Sequence, residues 1–128
     1  MVPPPNRRRT GQARLPIRVP AVTEPIGLPS QATGGEAQNL SPGGVQVRLE
    51  RALAPGAPVR VTLRFSQRPP LTLIGTVAWV QPHSETAGWA LGIRLGDELP
   101  GEIVAEIADA EYPPWGPPAQ SVAPPEGQ

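Results

Sequence analysis

No cysteine occurs in this chain, which excludes disulfides and thiolate metal sites and suits a reducing compartment. Lysine is absent too, so all 11 basic residues are arginine. The single histidine, His83, lies in a polar loop with no set of partners that would hold a metal. Formal net charge is zero, so no bulk field draws the chain towards DNA or an acidic membrane. No apolar run reaches the length of a signal-peptide core or a membrane span. The expectation is a soluble, cytoplasmic protein. Also missing are a nucleophile–histidine–acid constellation, the glycine spacing of a phosphate-cradling loop and a convincing carboxylate pair. The chain is therefore read as a non-enzyme.

What the chain has in quantity is proline and glycine, 20 and 14 residues of its 128. Prolines crowd residues 1–6 and 112–128, where neither helix nor sheet interior suits them, so both segments are expected to be disordered. Between them, residues 7–111 are long enough for one domain with a modest core. Elsewhere Pro and Gly punctuate short runs of alternating apolar residues. Leu15–Val22 reads as a first strand, whose prolines confine it to an edge or to irregular pairing. Thr33–Leu40 is a weak second strand, Val45–Arg51 a third and Val59–Phe65 a fourth.

A fifth strand places Leu71, Leu73, Gly75, Val77 and Trp79 on one face, with Gly75 marking a bend or bulge. A sixth places Trp89, Leu91, Ile93 and Leu95 together. By the same parity, Trp79 and Trp89 are expected in the core. Gly101–Ala110 keeps a helical period, with Ile103, Val104, Ile107 and Ala108 opposite Glu102, Glu106 and Asp109. Many short strands and one late helix predict a mainly β protein: a small six-stranded antiparallel barrel, closed or split, with a C-terminal helix.

The richest stretch is Asn39-Leu40-Ser41-Pro42-Gly43-Gly44, directly ahead of the third strand. An amide and a hydroxyl sit two residues apart on a tight turn, and Gly44 is expected to hold it with a positive φ. Upstream, Arg7, Arg8, Arg9, Arg14 and Arg18 stand in the first 20 residues without one acid, whereas Asp97–Glu111 holds six acids without one base. Each arginine fork suits a phosphate or the O6/N7 edge of guanine.

An arginine pair followed by Asn-x-Ser-x-x-Gly resembles the signature of the PilZ domain, Arg-x-x-x-Arg and then Asp/Asn-x-Ser-x-x-Gly. Gly75-Thr76-Val77-Ala78-Trp79-Val80 and Leu91-Gly92-Ile93-Arg94-Leu95 look like that family's last two strands. The resemblance implies a six-stranded barrel with a helix packed on it, and a receptor for cyclic di-GMP. On it, the ligand falls to Arg8, Arg9, Arg14, Asn39, Ser41 and Gly44. Arg9 and Arg14 are separated by four residues rather than three, with Arg8 the substitute if the register slips; the strict spacing occurs at Arg14/Arg18, where Arg18 falls inside the first strand, and recurs at Arg60/Arg64 and Arg64/Arg68.

The implied mechanism is an N-terminal arginine arm that orders on the barrel when the nucleotide binds. An unidentified protein partner then reads the changed surface. No cofactor, metal, DNA or RNA is expected. The alternative is a PilZ-like scaffold that binds proteins and no nucleotide, favoured by the lengthened arginine interval.

Overall fold

The computed structural model describes residues 14–83 and 87–111. Its strands are β1 (Leu15–Pro25), β2 (Thr33–Ser41), β3 (Gly44–Leu49), β4 (Pro58–Leu63), β5 (Leu71–Pro82) and β6 (Trp89–Leu95), with one helix after them, α1 (Gly101–Glu111). A short 3-10 turn, Pro29–Gln31, joins β1 to β2. All neighbours are antiparallel, and the order β1-β2-β3-β6-β5-β4 closes on itself. The expected mainly β, six-stranded barrel with a C-terminal helix is what forms, in its closed version. Closure removes the unpaired edges that an open sheet of this size would expose.

The alternation that defines each strand also fills the barrel. Val45, Val47 and Leu49 of β3 point inward, as do Val59, Val61 and Leu63 of β4 and Leu91, Ile93 and Leu95 of β6. Each fully buried Val or Leu contributes about 1.5–3 kcal/mol of transfer free energy. Val104 and Ile107 of α1 join the same core, so the helix seals one end of the barrel through its apolar side. On its solvent side Arg68 pairs with Glu106 at 3.2 Å, a surface contact worth about 0–1 kcal/mol.

Prolines shape β1 as their chemistry requires. Pro16 and Pro20 lie where β1 pairs with β2 alone, because pairing with β4 begins only at Ala21. The β1–β2 register slips between Pro16 and Val19, the irregular pairing expected of a strand that lacks the N–H donors of Pro16, Pro20 and Pro25.

Two further register shifts matter more. In β2, Ala37 faces Val47 and Asn39 faces Gln46, leaving Gln38 as an extra residue. In β5, Val77 faces Ile93 and Trp79 faces Gly92, leaving Ala78 extra. Each bulge reverses the inside–outside parity of the rest of its strand. The expected bend at Gly75 is therefore displaced to Ala78. Gly75 itself stays in register opposite Val59 and Leu95, and a Cβ there would overlap the Arg94 carbonyl oxygen. Close approach of the β6 backbone, not a bend, explains that glycine.

Candidate functional site

The two bulges turn Asn39 and Trp79 outward onto one face of the barrel. Across that face the pairings run Asn39–Gln46–Gly92–Trp79 through β2, β3, β6 and β5. The next row runs Ser41–Gly44–Arg94–Thr76. All of these residues except Thr76 line a cleft of about 270 Å³, together with Arg14 at the entrance to β1.

Local chemistry sets each side chain. Asn39 donates from Nδ2 to Oε1 of Gln46 at 2.9 Å, so two half-buried amides are joined across adjacent strands. Ser41 is buried, and its hydroxyl donates to the Gly44 carbonyl oxygen at 3.3 Å across the Pro42-Gly43 turn. The turn is tied from below. Leu95 donates its backbone N–H to the Gly43 oxygen at 2.9 Å, and Leu99, just ahead of α1, donates to the Pro42 oxygen at 2.8 Å.

Gly44 does not adopt the positive φ expected of it; among the described glycines that conformation belongs to Gly27, Gly56 and Gly88. The physical reason for glycine is space. A Cβ on Gly44 would sit 3.0 Å from the Ile93 carbonyl oxygen of β6, tighter than ordinary contact, and it would stand at the cleft wall.

Trp79 is not a core residue. The Ala78 bulge moves Val80 into the inward position instead, where it packs on the core, and Trp79 becomes a half-buried wall of the cleft. Its indole lies over Gly92, where a Cβ would overlap Trp79 Nε1. Trp89 likewise keeps about a third of its surface exposed (36%), at the mouth of the barrel rather than in its core.

Of the residues singled out from sequence, Arg14, Asn39, Ser41 and Gly44 all line this cleft. Arg8 and Arg9 lie outside the described residues. Arg18 is directed elsewhere and approaches Glu36 at 3.8 Å. Arg14 and Arg94 have no carboxylate partner among the described residues, so the cleft carries uncompensated positive charge. Such a surface suits an anion that also presents a flat ring system.

Gln46, Trp79, Gly92 and Arg94 were not found from sequence. For Gly92 and Arg94 the signal was there: both occupy the polar parity of β6, opposite Leu91, Ile93 and Leu95. For Trp79 it was hidden by the bulge. Among the described residues no group of three or more His, Asp or Glu is placed to hold a metal ion. No described helix is long and apolar enough to cross a membrane.

Residues 6–110 match the family model of the PilZ domain. Two solved structures share the fold. One is the inhibitor of motility MotI/DgrA from Bacillus subtilis, with a TM-score of 0.61 and 12% identity, covering 77% of this chain and 48% of that one. The other is the PilZ domain of YcgR from Escherichia coli, with c-di-GMP, at a TM-score of 0.56 and 12% identity over 77% of this chain and 82% of that one. The chain thus spans about half the length of the Bacillus subtilis protein. Among curated proteins none matches the sequence.

Proposed function

The chain belongs to the PilZ domain family, and on that premise we propose that it is a cyclic di-GMP receptor whose ligand occupies the cleft across β2, β3, β6 and β5. One observation carries this reading. Asn39, Ser41 and Gly44 meet Arg14, Arg94 and the Trp79 indole in a single cleft, although the six residues come from stretches as far apart as the first and last strands.

Each group has a part that its chemistry suits. The Asn39 amide oxygen accepts from the N1–H and N2–H2 donors of a guanine edge. Arg14, with Arg8 or Arg9 of the arm, straddles a phosphate or the O6/N7 edge of a guanine. Arg94 supplies a second fork from the barrel side. Trp79 offers its ring to a purine, a stack worth about 1–3 kcal/mol per base. Gly44 keeps the wall low enough for the backbone to be approached. Ser41, whose hydroxyl already serves the turn, acts by holding the Pro42-Gly43 loop in shape.

Charge-assisted contacts contribute about 1.5–3 kcal/mol each. Three or four of them, less the cost of ordering the arm, correspond to roughly micromolar affinity. The arm is where the signal arises in this reading. Arginines preceding Arg14 fold onto the barrel when phosphate and guanine arrive, and the new surface is offered to a protein partner. The lengthened Arg9–Arg14 interval is tolerated because Gly11 lies within it and Arg8 stands one residue away.

Two substitutions test this assignment by titration calorimetry. Asn39→Ala is expected to weaken cyclic di-GMP binding about tenfold, with the melting temperature nearly unchanged, because a half-buried surface amide has little packing to lose. Unaltered affinity would remove Asn39 from the site. Arg14→Ala is expected to cost about thirtyfold, since a charged fork is lost, whereas Arg18→Ala, whose fork faces Glu36, should be near neutral. The reverse ranking would show that the arginine register is wrong.

A further inference from the structure

Asn39 has an unusual neighbour for a residue expected to read a base. Its Nδ2 donates to Gln46 Oε1 at 2.9 Å, directly across the β2–β3 pairing. An amide whose NH2 is engaged on one side presents its oxygen on the other. Asn39 Oδ1 is therefore turned away from β3, and no partner for it occurs among the described residues.

Gln46 has its backbone held on both sides. It is half-buried in the middle of β3, paired with Asn39 on one side and with Gly92 on the other. Gly92 carries no side chain to compete for the amide, and the Trp79 indole closes the row beyond it. The amide pair thus sits between two paired strands of the barrel rather than on the turn that joins them.

Resting on the receptor reading above, we infer that Gln46 is a positioning residue that sets purine selectivity by fixing Asn39 as a hydrogen-bond acceptor. A free asparagine can present either its oxygen or its NH2. Only the oxygen complements the adjacent N1–H and N2–H2 donors of guanine; the NH2 would oppose donor to donor. With its oxygen towards Asn39, Gln46 disfavours the wrong orientation before the ligand arrives. An aspartate at position 39 would need no such partner, because both of its oxygens accept. Gln46 is thus what lets an asparagine do the work of an acid at this place.

The test compares Gln46→Leu and Gln46→Glu with the unaltered chain, titrating cyclic di-GMP and cyclic di-AMP, whose adenine presents an acceptor at N1 where guanine presents a donor. The unaltered protein is expected to prefer cyclic di-GMP by about thirtyfold, since Asn39 Oδ1 would meet a donor in guanine and an acceptor in adenine. Gln46→Leu frees the Asn39 amide, whose NH2 can then donate to adenine N1, so the preference should fall to about fivefold, with cyclic di-GMP affinity down about fivefold. Gln46→Glu still accepts from Asn39 Nδ2, so its preference should stay near thirtyfold even where its added charge weakens both ligands alike.

A merely structural role would lower both affinities in Gln46→Leu and leave their ratio intact, which would overturn the inference. It would also be overturned by Gln46→Glu losing the preference as fully as Gln46→Leu, since Gln46 would then be the donor of the pair. Binding of neither ligand by the folded, unaltered chain would overturn the receptor reading, and this inference with it. Loss of the ratio in Gln46→Leu alone would confirm both.

Discussion

Gly92→Val is expected to remove cyclic di-GMP binding, with affinity falling at least about a hundredfold, while the barrel still folds. The cause is steric and local. A Cβ at position 92 would overlap Trp79 Nε1 and Cε2 and stand 2.8 Å from Trp79 Cδ1, so the indole has to leave its seat on β6. Trp79 is half-buried and borders the open cleft, which lets it swing outward without moving a strand. The stack is then lost, about 1–3 kcal/mol per base, and the valine methyls occupy the floor that the ring would cover. Calorimetry on Gly92→Val, on Trp79→Ala and on the double variant separates the two effects. If Gly92 acts by seating the indole, the double variant should bind about as poorly as the worse single one. Simple addition of the two losses would contradict that role.

The largest effect on folding is expected at a different glycine. Gly35 lies in β2 opposite Leu49, and a Cβ there would meet three backbone atoms of β3: it would overlap the Arg48 carbonyl oxygen, and stand 2.8 Å from the Arg48 carbonyl carbon and 3.0 Å from Leu49 Cα. Side chains can yield to such a contact, whereas a strand paired on both sides in a closed barrel cannot. Gly35→Ala should destabilise the fold by about 3 kcal/mol or more, lowering the melting temperature by roughly 12–24 °C for a domain of this size. Gly34→Ala is the matched control, because nothing lies within 4 Å of its Cβ; its cost should stay within about 0.5 kcal/mol. Equal melting of the two variants would mean that β2 and β3 do not approach as closely at Gly35 as described.

The contrast between these glycines shows what can be read from sequence here. Strand positions were legible because one face of each strand is buried and the other wet, so β3, β4 and β6 carry their parity openly. The helix was legible for the same reason at a different period. Proline in β1 announced irregular pairing because a missing N–H is a property of the residue itself. The site motif was legible as well, since Asn39, Ser41 and Gly44 lie close together in sequence.

What escaped was everything that depends on a neighbouring strand. A bulge is one extra residue relative to a partner, so nothing in Val77-Ala78-Trp79-Val80 alone distinguishes Trp79 inside from Val80 inside. Gly44 has the sequence setting of a turn glycine, but its constraint is the Ile93 carbonyl oxygen, from a strand more than forty residues later. Gln46 has the setting of an ordinary outward polar residue of β3, and its bond to Asn39 appears only when the register brings the two opposite each other. Sequence patterns report burial along one strand; cross-strand distances need the register.

Recognition of cyclic di-GMP by this cleft is addressed most directly by titration calorimetry of the full chain. Cyclic di-GMP is expected to bind with a dissociation constant of roughly 1–10 µM. Cyclic di-AMP, which keeps the phosphates but replaces the N1–H donor and O6 acceptor, should bind at least about thirtyfold more weakly. Absence of cyclic di-GMP binding by a folded protein, or equal affinity for the two nucleotides, would contradict the assignment.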